Sequence, residues 1–443
     1  MESETRRMDW KKLLDATRPD WNSKEADLRS PFQRDVDRLT FSDAFRRLAR
    51  KTQVHPLNEN DHIHSRLTHS LEVATVGKSL GELIGHHLKK HALLPAPISP
   101  TNIGEIVQAA CLAHDIGNPP FGHSGEEAIK EWFKSHRDIA QVLAPEARSD
   151  FLKFDGNAMS VRTLLSTGFY RQGMNPTMAV AGTLLKYPWP SWYNAGKDKF
   201  SYFQSEANVV RSIADTLGLI DFGDRFARHP LTFLMEAADD ICYRIIDIED
   251  ATELGILNRD FMLEQFADTL ELNSSEERYA RYKGYHFRQR NSIIRAKLIG
   301  QATDDAVQVF IDRYDAIMEG ALKPLDSLMG LSNGICKSLY GVYKGIENDL
   351  FNSRRKAVLE LGAQTAIGLI LDQIMVAVDT TETPPRISLN PKVRHLVGKE
   401  NIDEIPKDSG YAYGVIMALV DYISGMTDHY ATELCRKFLG LGY

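Results

Sequence analysis

The segment Glu105–Ala113 constrains the fold more than any other stretch of the chain. Apart from Glu105 and Gln108 it is wholly apolar. A helix through it is hydrophobic around its whole circumference and has to be wrapped by other elements. Those elements are legible as helices. Val73, Val76, Leu80, Leu83 and Ile84 recur at helical spacing within Leu67–Leu88. Glu126–Phe133, Phe233–Asp250, Ile293–Tyr314, Arg354–Val378 and Gly414–Leu439 read the same way. No run of alternating strands accompanies them, and only a short β-ribbon is allowed, near Thr380–Val393. Clusters of Pro, Gly, Asn and Ser mark loops at Leu94–Gly104, Pro188–Lys199, Val378–Lys392 and Lys399–Gly410. The expected fold is all-α, a single large helical body: an N-terminal segment over 1–30, a core over 31–260, and a helical C-terminal extension over 261–443 packed on that core.

Composition excludes several functions. With 443 residues, 43% hydrophobic and 26% charged, the chain is neither disordered nor fibrous. A net charge of -7 argues against coating nucleic acid by bulk charge. Cys111, Cys242, Cys336 and Cys435 lie far apart with no Cys-x-x-Cys pair, so neither a disulfide framework nor a thiolate zinc site is expected. The first residues lack the apolar stretch of a signal peptide. No uncharged apolar run approaches the ~18 residues of a membrane helix; the most apolar, Ile367–Val378, is interrupted by Asp372 and Gln373. A cytoplasmic protein without membrane contact is the expectation.

The buried helix runs straight into His114-Asp115, and Pro119-Pro120 forbid its continuation. A carboxylate at such an end costs several kcal/mol in desolvation unless it is paired or meets a cation. Taken alone, the pair is a helix C-terminus, with His on the dipole and Asp capping the next turn. It is not alone. Arg66 and His69, three apart, share a helix face upstream. His69 with His114 and Asp115 supplies imidazole and carboxylate donors from separate helices, as a metal site needs. His62 and His64 read as surface histidines. Downstream, Asp239, Tyr243 and Asp247 fall within ~80° of one another on a helix, opposite Ile241, Ile245 and Ile248. That stripe is either a solvated acidic face or a grip for a sugar hydroxyl beside a metal.

His69, His114-Asp115 and Asp239 resemble the His…His-Asp…Asp signature of HD-domain phosphohydrolases. The similarity is closer to the deoxyguanosinetriphosphate triphosphohydrolases and related dNTPases. It runs from Arg29-Ser30-Pro31-Phe32-Gln33-Arg34-Asp35 to Asp421-Tyr422-Ile423-Ser424-Gly425-Met426-Thr427-Asp428, and Phe45–Val54 and Arg66–Val73 look like that family in particular. The resemblance implies one divalent ion per chain (Mn, Mg, Co, Fe, Ni or Zn) on His69, His114, Asp115 and Asp239. Asp239 is chosen over Asp240 because only it shares a face with Tyr243 and Asp247. The resemblance further implies His123 and Glu126 as the catalytic pair, one helical turn apart. Gln53, Tyr243 and Asp247 would surround the deoxyribose; Arg66, Lys186, Tyr187 and Lys199 would meet phosphates; Asn157 lies in another site-forming block. The chain departs from the pattern at Asn118, where many members carry His, and at Met159, where many carry Gln. The implied activity is hydrolysis of dGTP, with other dNTPs open, to deoxynucleoside and inorganic triphosphate. A symmetric homo-oligomer, often a hexamer, and a single-stranded DNA or dNTP effector are the implied partners. Two alternatives stay open: an HD-type phosphohydrolase acting on nucleoside monophosphates or nucleic-acid ends, and a non-enzymatic dNTP- or single-strand-binding regulator. The basic stretches Arg278–Lys297 and Arg354-Arg355-Lys356 read as solvated helix faces.

Overall fold

The computed structural model describes residues 6–19, 28–53, 60, 62–165, 174–351, 354–379 and 386–441. The fold is all-α. Among the described residues the only sheet is an antiparallel ribbon, Ala377–Asp379 with Arg386–Ser388, close to where the sequence allowed one.

Two helices form the centre, Arg66–Lys90 and Pro100–Ala113. Each starts with a capping box. Ser65 accepts from Thr68 N–H and Ser99 from Asn102 N–H, and the third residue's side chain returns to the cap's own N–H. The buried helix therefore begins at Pro100, inside the expected loop Leu94–Gly104. Proline at the first helical position gives up an N–H that would have no intrahelical partner, so it opens this helix instead of breaking one.

The pair packs backbone to backbone. A Cβ on Gly81 would lie 2.8 Å from Gly104 Cα, and one on Gly85 2.6 Å from Pro100 Cα. The helices run antiparallel, so His69 near the start of one meets His114 at the end of the other, with ring centroids 5.4 Å apart. The Pro230–Glu253 helix crosses both. Ala238 sits 3.6 Å from where a Gly77 Cβ would be, which brings Asp239 to the junction of all three helices.

A second core gathers Phe133, Phe151, Phe154, Trp189, Phe200 and Phe203 and is closed by C-terminal helices. The residues Ala357–Ile374 are long and apolar enough to cross a membrane by length and composition, which the sequence reading did not expect. Here their inner face, Ile367, Ile370, Leu371 and Ile374, is buried in protein, and Trp132 Nε1 donates to Asp372 Oδ1 at 2.7 Å; Val358 and Leu361 at the other end are exposed. Arg162 grips Asp421 with two bonds of 2.7 Å, and the Tyr413 hydroxyl donates to buried Asp150 at 2.7 Å. The expected helix Gly414–Leu439 is two helices, Tyr411–Ser424 and Asp428–Phe438, because Thr427 caps the second by accepting from Tyr430 N–H. Lys399–Asp403, expected as loop, forms a short helix.

Candidate active site

His69, His114 and Asp115 each offer one donor atom within 4.8 Å of the others. His114 Nδ1 lies 2.6 Å from the Cys111 carbonyl, which only accepts. Nδ1–H therefore donates to that carbonyl, which leaves Nε2 turned toward the cluster. That nitrogen is buried with no hydrogen-bond partner, a costly arrangement unless a cation fills it. Asp239 stands outside this tightest group but adjoins both rings, with Oδ1 3.2 Å from His69 Nε2 and 3.6 Å from His114 Nε2. Asp240 also lines the adjoining cavity but pairs with Arg244, at 3.1 Å. Burial alone would raise both ligand-set carboxyls. Arg66 and the two histidines hold Asp115 below the usual carboxylate range, and Lys186, His114 and His69 hold Asp239 well below it. Two imidazoles with ionised carboxylates fit a divalent cation.

The loop after Asp115 leads to the His123–Ser135 helix. His123 Nδ1 is 3.2 Å from Glu126 Oε2, and Glu126 Oε1 accepts the Gly156 N–H at 2.8 Å. Glu126 is buried while the His123 side chain is 76% exposed, so the imidazole is anchored on one side and open on the other. Asn118, the departure noted in the sequence, donates its amide to Asp115.

These groups line one cavity of about 740 Å³, within the range of small-molecule sites. Of the residues picked from the sequence, all but His69 and Asp247 are on its wall. His69 is fully buried behind Asp239, and Asp247 is buried behind Tyr243. Each of the cations has a carboxylate partner. Arg66 donates to Asp115 Oδ2 at 2.8 Å; Lys186 lies 3.4 Å from Asp239 Oδ2 and 3.9 Å from Glu236; Lys199 lies 3.4 Å from Asp155 Oδ2. Asn157 donates to the same Asp155 at 2.7 Å. Tyr187 N–H donates to Ser201 Oγ at 2.8 Å, which fixes the turn that presents Lys186.

Sequence reasoning missed Tyr343, on the Ile335–Phe351 helix. Its hydroxyl donates to Asp247 Oδ2 at 2.8 Å and lies 2.9 Å from the Tyr243 hydroxyl. The stripe Asp239-Tyr243-Asp247 is thus not a solvated acidic face; the extension covers its far end. Glu347 and Glu360, also from the extension, reach the cavity wall. No local pattern in the sequence signals any of the three. His64, expected at the surface, is only 16% exposed in its side chain and is clamped 2.8 Å from Asp250 and 3.6 Å from Glu72.

Residues 66–164, which carry His69, His114, Asp115, His123, Glu126 and Asn157, match the HD domain family. The chain is 40% identical over 448 residues to a deoxyguanosinetriphosphate triphosphohydrolase-like protein of Pseudomonas aeruginosa, covering 98% of this chain and 99% of that one. It belongs to the deoxyguanosinetriphosphate triphosphohydrolase family of HD-domain proteins. A relative of that type in Synechocystis is 34% identical over 98% of this chain. A deoxyguanosinetriphosphate triphosphohydrolase of Yersinia pseudotuberculosis is 30% identical, with 96% of each chain covered. The matches take in the C-terminal helices that supply Tyr343, so family membership extends past the HD helices to the far wall of the cavity.

Proposed function

We propose that the protein is a divalent-metal-dependent dNTP triphosphohydrolase acting on dGTP, with the use of other dNTPs left open. It breaks the bond between the α-phosphorus and O5′ and releases deoxynucleoside and inorganic triphosphate. One observation carries the reading: the partnerless His114 Nε2 faces the same cavity as the His123–Glu126 pair and three lysine and arginine cations. The family's name and the printed names of the relatives support it. An intact His123–Glu126 pair weighs against a binding-only regulator.

A divalent ion on His69, His114, Asp115 and Asp239 would supply Lewis-acid polarisation of a phosphate oxygen. Arg66, Lys186 and Lys199 offset the negative charge of the other phosphate oxygens. Their carboxylate partners aim them in advance, so little reorganisation is needed during reaction. Water oxygen bonds to the α-phosphorus as the bond to O5′ breaks. His123 gives the proton on Nε2 to O5′ and is recharged from the attacking water. Glu126, held at about 2 by its bond to His123 and the charge of Lys199 against the opposing effect of burial, stays ionised and stabilises the imidazolium. Gln53, Tyr243 and, through Tyr343, Asp247 form the sugar end, where the Tyr243 ring occupies space a 2′-hydroxyl would need.

The test incubates each dNTP with Mn or Mg and follows products. Triphosphate and deoxynucleoside in equal amounts, abolished by chelation, are expected. Pyrophosphate or orthophosphate as the primary product would exclude the reading.

A further inference from the structure

The loop joining His114-Asp115 to His123 holds an uncommon backbone. Phe121 sits at φ 65° and Gly122 at φ 59°, a region disfavoured for a bulky side chain. A Cβ on Gly122 would lie 2.5 Å from Arg66 Nη2, so a side chain there would have to displace that guanidinium as well as strain the backbone. Such a turn persists only where its surroundings over-determine it. Two buried polar side chains do so, and neither is part of the cavity wall. Asp428, 2% exposed, accepts the Phe121 N–H on Oδ1 at 2.8 Å. Its Oδ2 accepts the Thr52 N–H at 3.0 Å and the Thr52 hydroxyl at 2.6 Å. Lys51, also 2% exposed, donates to the Asn118 carbonyl at 2.5 Å and the Ser424 carbonyl at 2.6 Å. The segment carrying Gln53, the loop carrying His123 and the end of the C-terminal extension therefore meet in one buried knot.

We infer that Asp428, assisted by Lys51, is a positioning residue for the reaction. It fixes the Phe121-Gly122 turn and so sets His123 against the His69–His114–Asp115 cluster. The inference rests on the hydrolase reading of the site. His69 and Asp239 ride within long helices and His114 caps another, so they do not depend on the knot; Asp115 touches it only through the Asn118 amide. His123 is the first residue after the turn and does. Only an ionised carboxylate offers acceptors on both oxygens to these three donors; an amide would turn its own N–H toward Phe121 or Thr52.

The test uses the full-length, metal-loaded protein with Asp428→Asn and Lys51→Met, each alone and each combined with His123→Ala. Each single variant is expected to lower kcat by ~10- to 100-fold, as a displaced catalytic group does. Metal content should stay within about twofold, while KM for dGTP is read separately, because Thr52, held by Asp428, directly precedes Gln53 at the sugar end. Neither change should lower kcat further once His123 is gone, because both act through it. Amide hydrogen exchange across 116–122 should speed up in both variants while exchange across 100–113 is unchanged. That readout needs no turnover. A wild type that releases no triphosphate, with a loosened loop in the variants, would sink the hydrolase reading and leave the knot standing. Wild-type kcat, an undiminished loss in the His123→Ala background, or unchanged loop exchange would overturn the inference. If Asp428→Asn does not fold, Lys51→Met carries the same expectations. Failure of both to fold would assign the knot to stability alone and overturn it too.

Discussion

Glu126→Gln perturbs the catalytic pair with the least change in shape. Glu126 is 5% exposed and uses both oxygens, Oε1 for the Gly156 N–H at 2.8 Å and Oε2 for His123 Nδ1 at 3.2 Å. In the variant, the amide oxygen stays on Gly156, whose backbone cannot turn, and the NH₂ faces His123. The imidazole must then accept at Nδ1, and its protonated form meets a donor where it had an anion. A hydrogen bond to a charged group contributes ~1.5–3 kcal/mol. The His123 side chain is 76% exposed, so solvent screening reduces that to ~1–2 kcal/mol, or roughly 5- to 30-fold in kcat. The assay is triphosphate release with saturating dGTP across neutral pH, with KM and metal content as controls. The same carboxyl gives a stability signature. Its folded-state value, about 2, lies below its ordinary 4.5. Its contribution is therefore present above 4.5 and lost as pH falls through about 2, and urea unfolding of Glu126→Gln should lose less stability over that interval than wild type. A variant with wild-type kcat and wild-type acid sensitivity would refute the coupling of Glu126 to His123.

His123→Ala should cost ~10²–10⁴-fold in kcat with metal and nucleotide still bound by calorimetry; near wild-type turnover would make the residue structural. Burial opposes charge on His64, but its bonds to Asp250 and Glu72 prevail and push it up to about 10. Its stabilising effect is therefore full below pH ~6.5 and lost as pH rises through about 10, so the stability gap between wild type and His64→Gln should narrow across that window, and a constant gap would contradict the clamp. Tyr343→Phe and Tyr243→Ala should each erode the preference for dGTP over GTP, which a buried, unpaired 2′-hydroxyl would set at roughly ten- to hundredfold; an unchanged ratio in both would place sugar selection elsewhere.

What the sequence made legible was local. The apolar run into His114-Asp115, the three-residue spacing of Arg66 and His69, and the 100° step that separates Asp239 from Asp240 all lie within a few turns of one helix. The structure keeps each, with Asp239 toward the histidines and Asp240 toward Arg244. Helix starts were misread where proline looked like a breaker, as at Pro100. Beyond reach were groups whose partners come from elsewhere in the chain. Tyr343 meets Asp247 at a separation of 96 residues, and Asp428 meets Phe121 at 307. His64 looked like a surface histidine because Asp250 comes from another helix. Arg66 was expected on phosphate, and the structure gives it Asp115 first, a pairing that no spacing argument contains.

The central claim is metal-assisted attack of water on the α-phosphorus with loss of the nucleoside oxygen. It is tested most directly by turnover of dGTP in ¹⁸O-labelled water with added Mn, reading both products by mass spectrometry. The account predicts one ¹⁸O in the triphosphate, none in the deoxyguanosine, and no turnover in His114→Ala or after chelation. Label in the 5′-hydroxyl of the nucleoside, or a nucleoside mono- or diphosphate as the first product, would contradict it.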